Sequence, residues 1–271
     1  MGPGPQASIP RQAPRSAVRA TEVIANDPAL SARILKVVNS AFYGLPRQIG
    51  SINRAISLLG LNAVKNLAVA ASLAKLFKGG SMGPRFDAKD LWTHSVAVAA
   101  VSKLIATNLK MSFADEAFLA GLLHDIGVIV ELQSERDKLA SIVQKIELSK
   151  DGVPTTDFLA VERSVLGCDH GVYGAALCEA WKFPKSFTRV CGHHHDPHLL
   201  PADMSTLTWI VHIADRLAAS VQKKGFRLDL MTSDISDDSL AAIGMSPAGL
   251  AQLRIALPAM LDGVEAQFGA G

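Results

Sequence analysis

Apolar residues recur along this chain mainly with the spacing of helices that bury one face. After Asp27-Pro28, for example, Leu30, Ile34 and Leu35 recur on one side, and an aspartate followed by a proline is a typical helix start. The strict alternation that is typical of half-buried strands is nowhere convincing. The pattern therefore predicts an all-α fold with helices over 14–25, 28–42, 52–59, 62–77, 88–109, 114–130, 135–149, 156–166, 169–181, 184–194, 204–221, 237–243 and 247–268, the last of them kinked at Pro258.

Prolines and glycines divide the chain into parts. The first residues include Pro3, Pro5 and Pro10 among small and polar side chains, a composition that is typical of an extended tail. Gly79 and Gly80 lie in a segment rich in glycine and other small residues, a composition that predicts a flexible linker at the surface. We expect a flexible tail over 1–13, an N-terminal helical lobe over 14–78, a larger helical core over 87–221, and C-terminal helices over 237–268.

The N-terminal lobe is too apolar to remain solvated, so we expect it to pack on the larger core rather than to swing freely. The apolar residues that we expect to make this contact are Leu30, Ile34, Leu58, Leu59 and Leu67.

The charge balance gives little support to nucleic-acid binding. There are 27 Lys and Arg against 25 Asp and Glu, a formal net charge of +2, which is too small for a broad positive field. Ser51 and Asn62 are candidate N-caps of two consecutive helices and form a possible helix-turn-helix unit. Its second helix offers only Lys65 and Lys75 to phosphates, so we do not expect nucleic acid as a partner.

The composition is that of a globular protein, with 49% hydrophobic and 19% charged residues. No apolar signal-peptide segment is visible near the start, and the longest charge-free apolar stretch, residues 66–74, is too short to cross a bilayer. Cys168, Cys178 and Cys191 form no Cys-x-x-Cys pair and lie in apolar segments, so we expect reduced core thiols. These features predict a cytoplasmic protein without a membrane partner.

All eight histidines lie between positions 94 and 212 of the 271 residues. Several of them share apolar helices with carboxylates, which is costly unless these groups are hydrogen-bonded or bind a metal. Imidazole and carboxylate groups suit a divalent ion of Fe, Mn, Ni, Zn or Mg, and their number could hold one or two ions. The candidate ligands are His94, the pair His124-Asp125, His170, the pair His194-His195, and Asp215.

Each candidate also has a purely structural interpretation. An isolated histidine such as His94 or His170 is more often a hydrogen-bonded core or capping residue, and histidines at a helix end interact favourably with the helix dipole. The joint occurrence of all the candidates on apolar helices favours a metal site. His198 and His212 have no motif role.

The order of these motifs resembles the HD superfamily and, within it, the HDOD domain of bacterial signalling proteins. The resemblance covers about residues 9–220. Its HD part rests on His94, Leu-Leu-His124-Asp125-Ile-Gly, Asp-His170-Gly-Val-Tyr-Gly, His194-His195-Asp-Pro and Asp215. Its HDOD part rests on the run from Asn26 to Gly44, which contains Val-Val-Asn39-Ser40-Ala-Phe-Tyr, followed by the run from Ser51 to Gly60. This resemblance implies an HD-like helical core with an N-terminal helical lobe.

The resemblance also implies ligand roles. In catalytic HD proteins the matching residues bind a first metal, which would be held here by His94, His124, Asp125 and Asp215. Related two-metal members add the middle histidines, which would be His170, His194 and His195 for a possible second ion. Two departures count against catalysis. Active cyclic-dinucleotide phosphodiesterases of the related HD-GYP group have a lysine where this chain has Val128, and a Gly-Tyr-Pro motif that is absent after Pro197.

The resemblance thus implies a bacterial signal-transduction protein with a His/Asp metal site, little or no catalysis, and other signalling proteins as partners. The first alternative is a metal-dependent phosphohydrolase that acts on a nucleotide or a cyclic dinucleotide. The second alternative is the helix-turn-helix nucleic-acid binder.

Overall fold

Helices follow one another along the chain in the computed structural model, which describes residues 24, 27–39, 43, 45–78, 80–221 and 226–268. Among these residues the only β-type pairing is two isolated bridges, Ser81 with Asp87 and Leu148 with Pro154. The all-α prediction is therefore confirmed. The helix predicted over 14–25 lies, apart from Ile24, outside the described residues. The helices are α1 (Pro28–Val38), α2 (Ile52–Leu59), α3 (Leu61–Leu73), α4 (Ala88–Asn108), α5 (Ala114–Leu123), α6 (Ile126–Ser134), α7 (Arg136–Lys145), α8 (Phe158–Leu166), α9 (His170–Ala180), α10 (Lys185–His193), α11 (Ala202–Val221), α12 (Asp237–Ala242) and α13 (Pro247–Phe268), with a 3-10 helix over Pro197–Leu199.

The boundaries of α3 differ from the prediction. The expected N-cap role of Asn62 is wrong, because the helix begins at Leu61 directly after Gly60 and has no side-chain cap. Gly60 has a φ of +85°, a conformation that glycine adopts without strain, and it both ends α2 and starts α3. The helix ends at Leu73, and residues 74–78 form turns instead of a further helical turn.

The helix α4 is surrounded by other helices and packs against α5, α11 and α13. Every residue from His94 to Ser102 is buried. Such a helix has no solvent-facing stripe, and its alanines at 97, 99 and 100 let the neighbouring helices approach closely. His94 therefore lies inside the main core, where a polar ring needs a partner.

The helices α1–α3 enclose a small core of their own, and α3 joins it to the main core. Ile34, Val38 and Leu67 belong to the small core, whereas Ala70 and Leu73 farther along α3 belong to the main one. The same helix packs against α5. The expected packing of the lobe on the core is thus observed.

The prediction of which residues make that contact is wrong. Leu58 is 47% exposed, and Leu30, Ile34, Leu59 and Leu67 belong to the lobe's own core or pack against it. The prediction that the Gly79-Gly80 linker lies at the surface is also wrong for Gly80, because Gly80 is buried. A Cβ at Gly80 would lie 2.5 Å from Cδ2 of Leu132 and 2.7 Å from Cβ of Ala88. The chain at Gly80 is therefore held against the main core by close packing.

Asn39 closes the loop that follows α1. Its Nδ2 donates to the carbonyl oxygen of Ile49 at 2.9 Å, and its Oδ1 accepts from the N–H of Ile49 at 2.6 Å. An asparagine offers a donor and an acceptor in the right geometry for this pair of bonds. The asparagine of the Val-Val-Asn run thus joins the end of α1 to the segment before α2.

One stretch among the described residues, Ala114–Ser134, is long and apolar enough to cross a membrane by length and composition. It contains α5 and α6, and 83% of its most apolar window is buried inside the protein. Burial in the core accounts for the apolar character of this stretch.

Candidate metal centre

All seven candidate ligands lie in one buried cluster within the main core. The side chain of His195 is 15% exposed, and the side chains of the other six are at most 1% exposed. The cluster draws on His94 of α4, His124 and Asp125 between α5 and α6, His170 at the start of α9, His194 and His195 directly after α10, and Asp215 of α11. Residues spread over more than a hundred positions thus meet in one place.

The first group of potential ligand atoms comes from His94, His124 and Asp125, whose atoms lie within 4.8 Å of one another. Nε2 of His124 is 3.1 Å from Oδ2 of Asp125, and Nε2 of His94 is 3.9 Å from the same oxygen. Asp215 adjoins this group, because its Oδ1 lies 3.0 Å from Nε2 of His94.

The second group comprises Asp125, His170, His194, His195 and Asp229, again with atoms within 4.8 Å of one another. Oδ1 of Asp125 is 3.2 Å from Nε2 of His194 and 3.6 Å from Nε2 of His170. Nε2 of His195 is 3.0 Å from Nε2 of His170. Asp125 presents one oxygen to each group, which is the arrangement of a carboxylate that can bridge two ions.

The donor set fits a metal because most of its atoms converge without a hydrogen-bond partner among the described residues. Ligands bound at about 2.1 Å and at right angles to each other lie about 3 Å apart, close to the spacings found here. Leaving buried carboxylates without a partner is costly, and a divalent ion would remove that cost. The atoms without a hydrogen-bond partner in the described chain include both ring nitrogens of His94, Nε2 of His124 and His194, and both carboxylate oxygens of Asp125, Asp215 and Asp229.

Protons and metal ions compete for this cluster. Burial by itself would lower the pKa of His124, but the attraction of Asp125 and Asp215 outweighs it and raises the pKa to about 9. Burial likewise opposes protonation of His170, and Glu162 and Asp125 raise its pKa well above the usual value. A histidine must be deprotonated to bind a metal, so metal binding would release protons.

The break between α5 and α6 places His124 and Asp125 on the same side. The expected continuous helix over 114–130 is wrong, since Asp125 leaves helical geometry with φ −99° and ψ 15°. Adjacent residues of a regular helix project about 100° apart, so an unbroken helix would separate the two side chains. The carbonyl oxygen of Gly121 accepts from Nδ1 of His124 at 2.7 Å, which leaves Nε2 free to face Asp125.

Gly127 allows α6 and α9 to approach each other beside the centre. A Cβ at this position would overlap the carbonyl oxygen of His170 and lie 2.8 Å from the backbone nitrogen of Gly174. Both obstacles are backbone atoms of α9 and cannot rotate away. The glycine of the His-Asp-Ile-Gly motif is therefore a packing requirement that sets the position of His170.

Glu162 of α8 orients His170. Its two oxygens lie 2.9 and 3.0 Å from Nδ1 of His170, and one of them accepts the backbone N–H of the same residue at 3.2 Å. A carboxylate on one ring nitrogen fixes the tautomer and directs the other nitrogen at a metal, a common arrangement behind metal-bound histidines. Nε2 of His170 is accordingly presented to the second group.

Glu131 of α6 lies behind Glu162 and is buried. Burial, and then the neighbouring Glu162, raise the pKa of Glu131 to about 9, so it is protonated at neutral pH. A protonated carboxyl can donate to Glu162 and extend the chain of contacts that ends at His170.

We expect the Glu131→Gln substitution to stabilise the protein, and increasingly so as the pH rises. The folded protein keeps a proton on Glu131 that the unfolded chain loses near its ordinary pKa of 4.5, so wild-type stability falls between that pH and about 9. Glutamine does not titrate, and the gain should grow by up to about 1.4 kcal/mol per pH unit. Urea unfolding of chelator-treated protein at pH 6 and pH 8 measures it. Glu147→Gln, at an exposed position, is the control, and a gain that does not change with pH would contradict a neutral Glu131.

Two of the three remaining histidines, His198 and His212, have structural partners. Nδ1 of His212 lies 2.7 Å from the carbonyl oxygen of His194, which fixes the backbone that carries two candidate ligands. His198 packs edge-on against Trp209. Cys178 and Cys191 are buried with their sulfurs 3.6 Å apart, as expected for reduced core thiols, whereas Cys168 is only half-buried.

Three site residues were missed by the sequence analysis, namely Glu131, Glu162 and Asp229. Glu131 and Glu162 each occupy an apolar helical segment, and the same reasoning that selected Asp215 could have selected them. Asp229 belongs to the segment Phe-Arg-Leu-Asp-Leu, which has no helical periodicity. Only the tertiary structure brings it to the centre.

The fold and the site together define a helical protein of the HD type with a His/Asp centre. The chain belongs to the HDOD domain family, whose family model matches residues 11–197. The resemblance noted from the sequence motifs is therefore confirmed.

Solved structures share this fold over nearly the whole chain. An HDOD domain protein of unknown function from Geobacter sulfurreducens is 24% identical, with a TM-score of 0.79 over 95% of this chain and 87% of that one. A proposed phosphohydrolase from Shewanella amazonensis is 25% identical, with a TM-score of 0.71 over 95% of this chain and 88% of that one. A curated relative, an uncharacterised protein from Treponema pallidum, is 25% identical over 179 residues. That match covers 65% of this chain but only 33% of the relative.

Proposed function

We propose that this HDOD protein is a signal-transduction module whose His/Asp centre holds one or two divalent metal ions and catalyses little or no hydrolysis. The observation that carries the proposal is the burial of the centre, because six of the seven candidate ligands have side chains that are at most 1% exposed. A catalytic metal site keeps a position open for water and substrate, whereas a structural site is closed. The burial supports the closed type.

In this proposal the ligands divide between two ions. His94, His124, Asp125 and Asp215 would hold the first, and His170, His194 and His195 would hold the second, with Asp125 shared between them. Imidazole and carboxylate donors suit Fe, Mn, Ni or Zn, and also Mg where oxygen ligands dominate. A bound ion would supply Lewis-acid polarisation of an oxygen ligand. Gly121 and Glu162 orient two of the histidines for this role.

The electrostatics of the centre also support a regulatory role. The leading charge interactions of the candidate ligands are with other histidines and with carboxylates. Val128 takes the place of the lysine of the active phosphodiesterases, and it is fully buried in the core. A positive group that stabilises developing charge on a phosphate is worth a few kcal/mol, or about 10² to 10³ in rate. The leading interactions of His124, Asp125, His170, His194, His195 and Asp215 include no lysine or arginine that could supply such a group.

The alternative is a metal-dependent phosphohydrolase that acts on a nucleotide or a cyclic dinucleotide. The two ligand groups that share Asp125 favour it, because paired ions can clamp a phosphate. The structural likeness to the proposed phosphohydrolase from Shewanella amazonensis points the same way.

Steady-state hydrolysis decides between these two functions. Cyclic di-GMP and common nucleotides would be incubated with the protein loaded with Mn, Fe(II), Ni or Mg, with Asp125→Ala as the control. We expect equal and negligible rates for the two proteins. A kcat on the order of 1 s⁻¹ or more that Asp125→Ala loses would lie in the ordinary enzyme range and would establish the phosphohydrolase.

A regulatory module needs partners that supply its input and carry its output. We propose that these are other signalling proteins in the cytoplasm. The match to one third of a longer relative is in keeping with a module that is combined with others.

A further inference from the structure

Asp229 lies in the segment that follows α11, outside every motif of the HD resemblance. The residue is buried, and neither carboxylate oxygen has a hydrogen-bond partner among the described residues. Its Oδ2 lies 3.5 Å from Nε2 of His195, and one of its carboxylate oxygens lies within 4.8 Å of the ligand atoms of the other residues in the second group. A carboxylate that is buried without a hydrogen bond is strongly disfavoured unless a positive charge compensates it.

The segment around Asp229 is anchored so that this side chain points inwards. The N–H of Phe226 donates to the carbonyl oxygen of Asp90 at 3.2 Å. The ring of Phe226 packs edge-on against Phe86 and Phe158, at centroid distances of 5.7 and 5.8 Å. The two leucines that flank Asp229, at positions 228 and 230, are buried as well. The carboxylate is thus held in place by packing on both sides of it.

The same packing connects Asp229 to the ligand His170. Phe158, which holds Phe226, also lies against the ring of His170 at a centroid distance of 6.2 Å. One aromatic side chain of α8 therefore positions both the segment of Asp229 and a histidine of the second group. Packing against the same ring fixes the position of His170 relative to the segment that carries Asp229.

The number of donors in the second group shows what Asp229 would do there. Without it, Asp125, His170, His194 and His195 offer four protein ligands. With it they offer five, which leaves at most about one open position on a six-coordinate ion. A phosphate that bridges or chelates an ion competes with protein carboxylates for such positions, because both present anionic oxygens.

We propose, on the basis of the metal centre proposed above, that Asp229 is a ligand of the second ion and fills the coordination position at which a phosphate oxygen would otherwise bind. Binding of the ion satisfies the buried carboxylate of Asp229, and the second ion then keeps at most about one position open to exogenous anions. Within the proposed function, this ligand would explain how the centre keeps a metal and yet catalyses little or no hydrolysis.

Cobalt-loaded protein tests the proposal, because the visible d–d absorption of Co(II) responds to the number and type of its ligands. Wild type, Asp229→Ala and Asp234→Ala would be loaded with Co(II) and titrated with inorganic phosphate, with bound cobalt counted by elemental analysis. Asp234 is the matched control, since it is an exposed aspartate on the same connecting segment. We expect wild type and Asp234→Ala to share one spectrum, and phosphate to change it much less than it changes the spectrum of Asp229→Ala. For Asp229→Ala we expect an altered spectrum, an affinity for the second cobalt lowered at least about tenfold, and a spectral response to phosphate.

Two results would overturn the inference about Asp229. One is an Asp229→Ala spectrum that coincides with that of wild type both with and without phosphate. The other is a phosphate response of wild type as large as that of the variant. Asp229→Asn, which keeps the side-chain volume, decides the matter by the same spectra if the alanine variant does not fold. Failure of wild type to bind any cobalt is a different result, because it would remove the metal centre itself and the proposed function with it.

Discussion

Gly127→Ala is expected to lower the free energy of unfolding by about 3 kcal/mol or more, at or above the upper end of ordinary over-packing. The new methyl group would overlap the carbonyl oxygen of His170 and approach the backbone nitrogen of Gly174. Relief requires that α9 move away from α6, and this movement carries His170 out of the second ligand group. The variant should therefore also retain less metal than wild type.

Gly192→Ala is the matched control for this prediction. Gly192 lies in α10, two residues before His194, and a Cβ there would meet only the Cβ of Ala175 at 3.6 Å, an ordinary contact. Alanine is favoured over glycine inside a helix by up to about 1 kcal/mol, so this variant should be as stable as wild type or more stable. Urea unfolding and elemental analysis of both proteins provide the comparison. Equal stabilities of the two variants would contradict the assigned role of Gly127.

Asp125→Ala is expected to remove both metal ions, because Asp125 presents one oxygen to each ligand group. Asp215→Ala should weaken only the first site, and His195→Ala only the second. The loss of affinity for Asp125→Ala should be on the order of 100-fold or more at both sites, since it removes a ligand rather than a supporting contact. Elemental analysis of protein purified without a histidine tag gives the stoichiometry.

Thermal unfolding supplies a second measurement for Asp125. An ion present at about one hundred times its dissociation constant stabilises the folded state by about 2.7 kcal/mol, so metal should raise the Tm of wild type but not that of the variant. Asp196→Ala, at an exposed position beside His195, is the control and should behave as wild type. Wild-type protein that retains no transition metal under any loading condition would leave only a hydrogen-bonded structural cluster.

Local patterns were sufficient to predict most helices and the identity of most candidate ligands. The caps at Asp27 and Ser51 are observed, with bonds to the N–H groups of Leu30 and Arg54. These features depend only on residues three or four positions apart, so they can be predicted from the sequence without knowledge of the fold. His94 and Asp215 could be selected because a polar side chain in an apolar helix needs a partner, whichever partner the fold supplies.

The errors have a common physical origin in contacts between distant segments. The break at His124 and Asp125 interrupts a segment whose local propensity is helical, and Gly80 is buried by packing against Leu132. The pattern of residues 114–130 alone does not indicate the break. The break brings His124 and Asp125 into a cluster with residues of five other segments, and those segments lie outside this stretch of the sequence. Local propensity is a weak preference that tertiary packing often overrides.

The sequence by itself determined an all-helical HDOD protein with histidines and aspartates in its core, because helical periodicity and side-chain chemistry are local properties. The tertiary structure decided how those residues group. It alone shows that Asp125 faces both groups, that Glu162 orients His170, and that Asp229 joins the second group from a segment without any periodic pattern. Distances between residues far apart in sequence depend on how the helices pack, and the order of residues along the chain does not contain them.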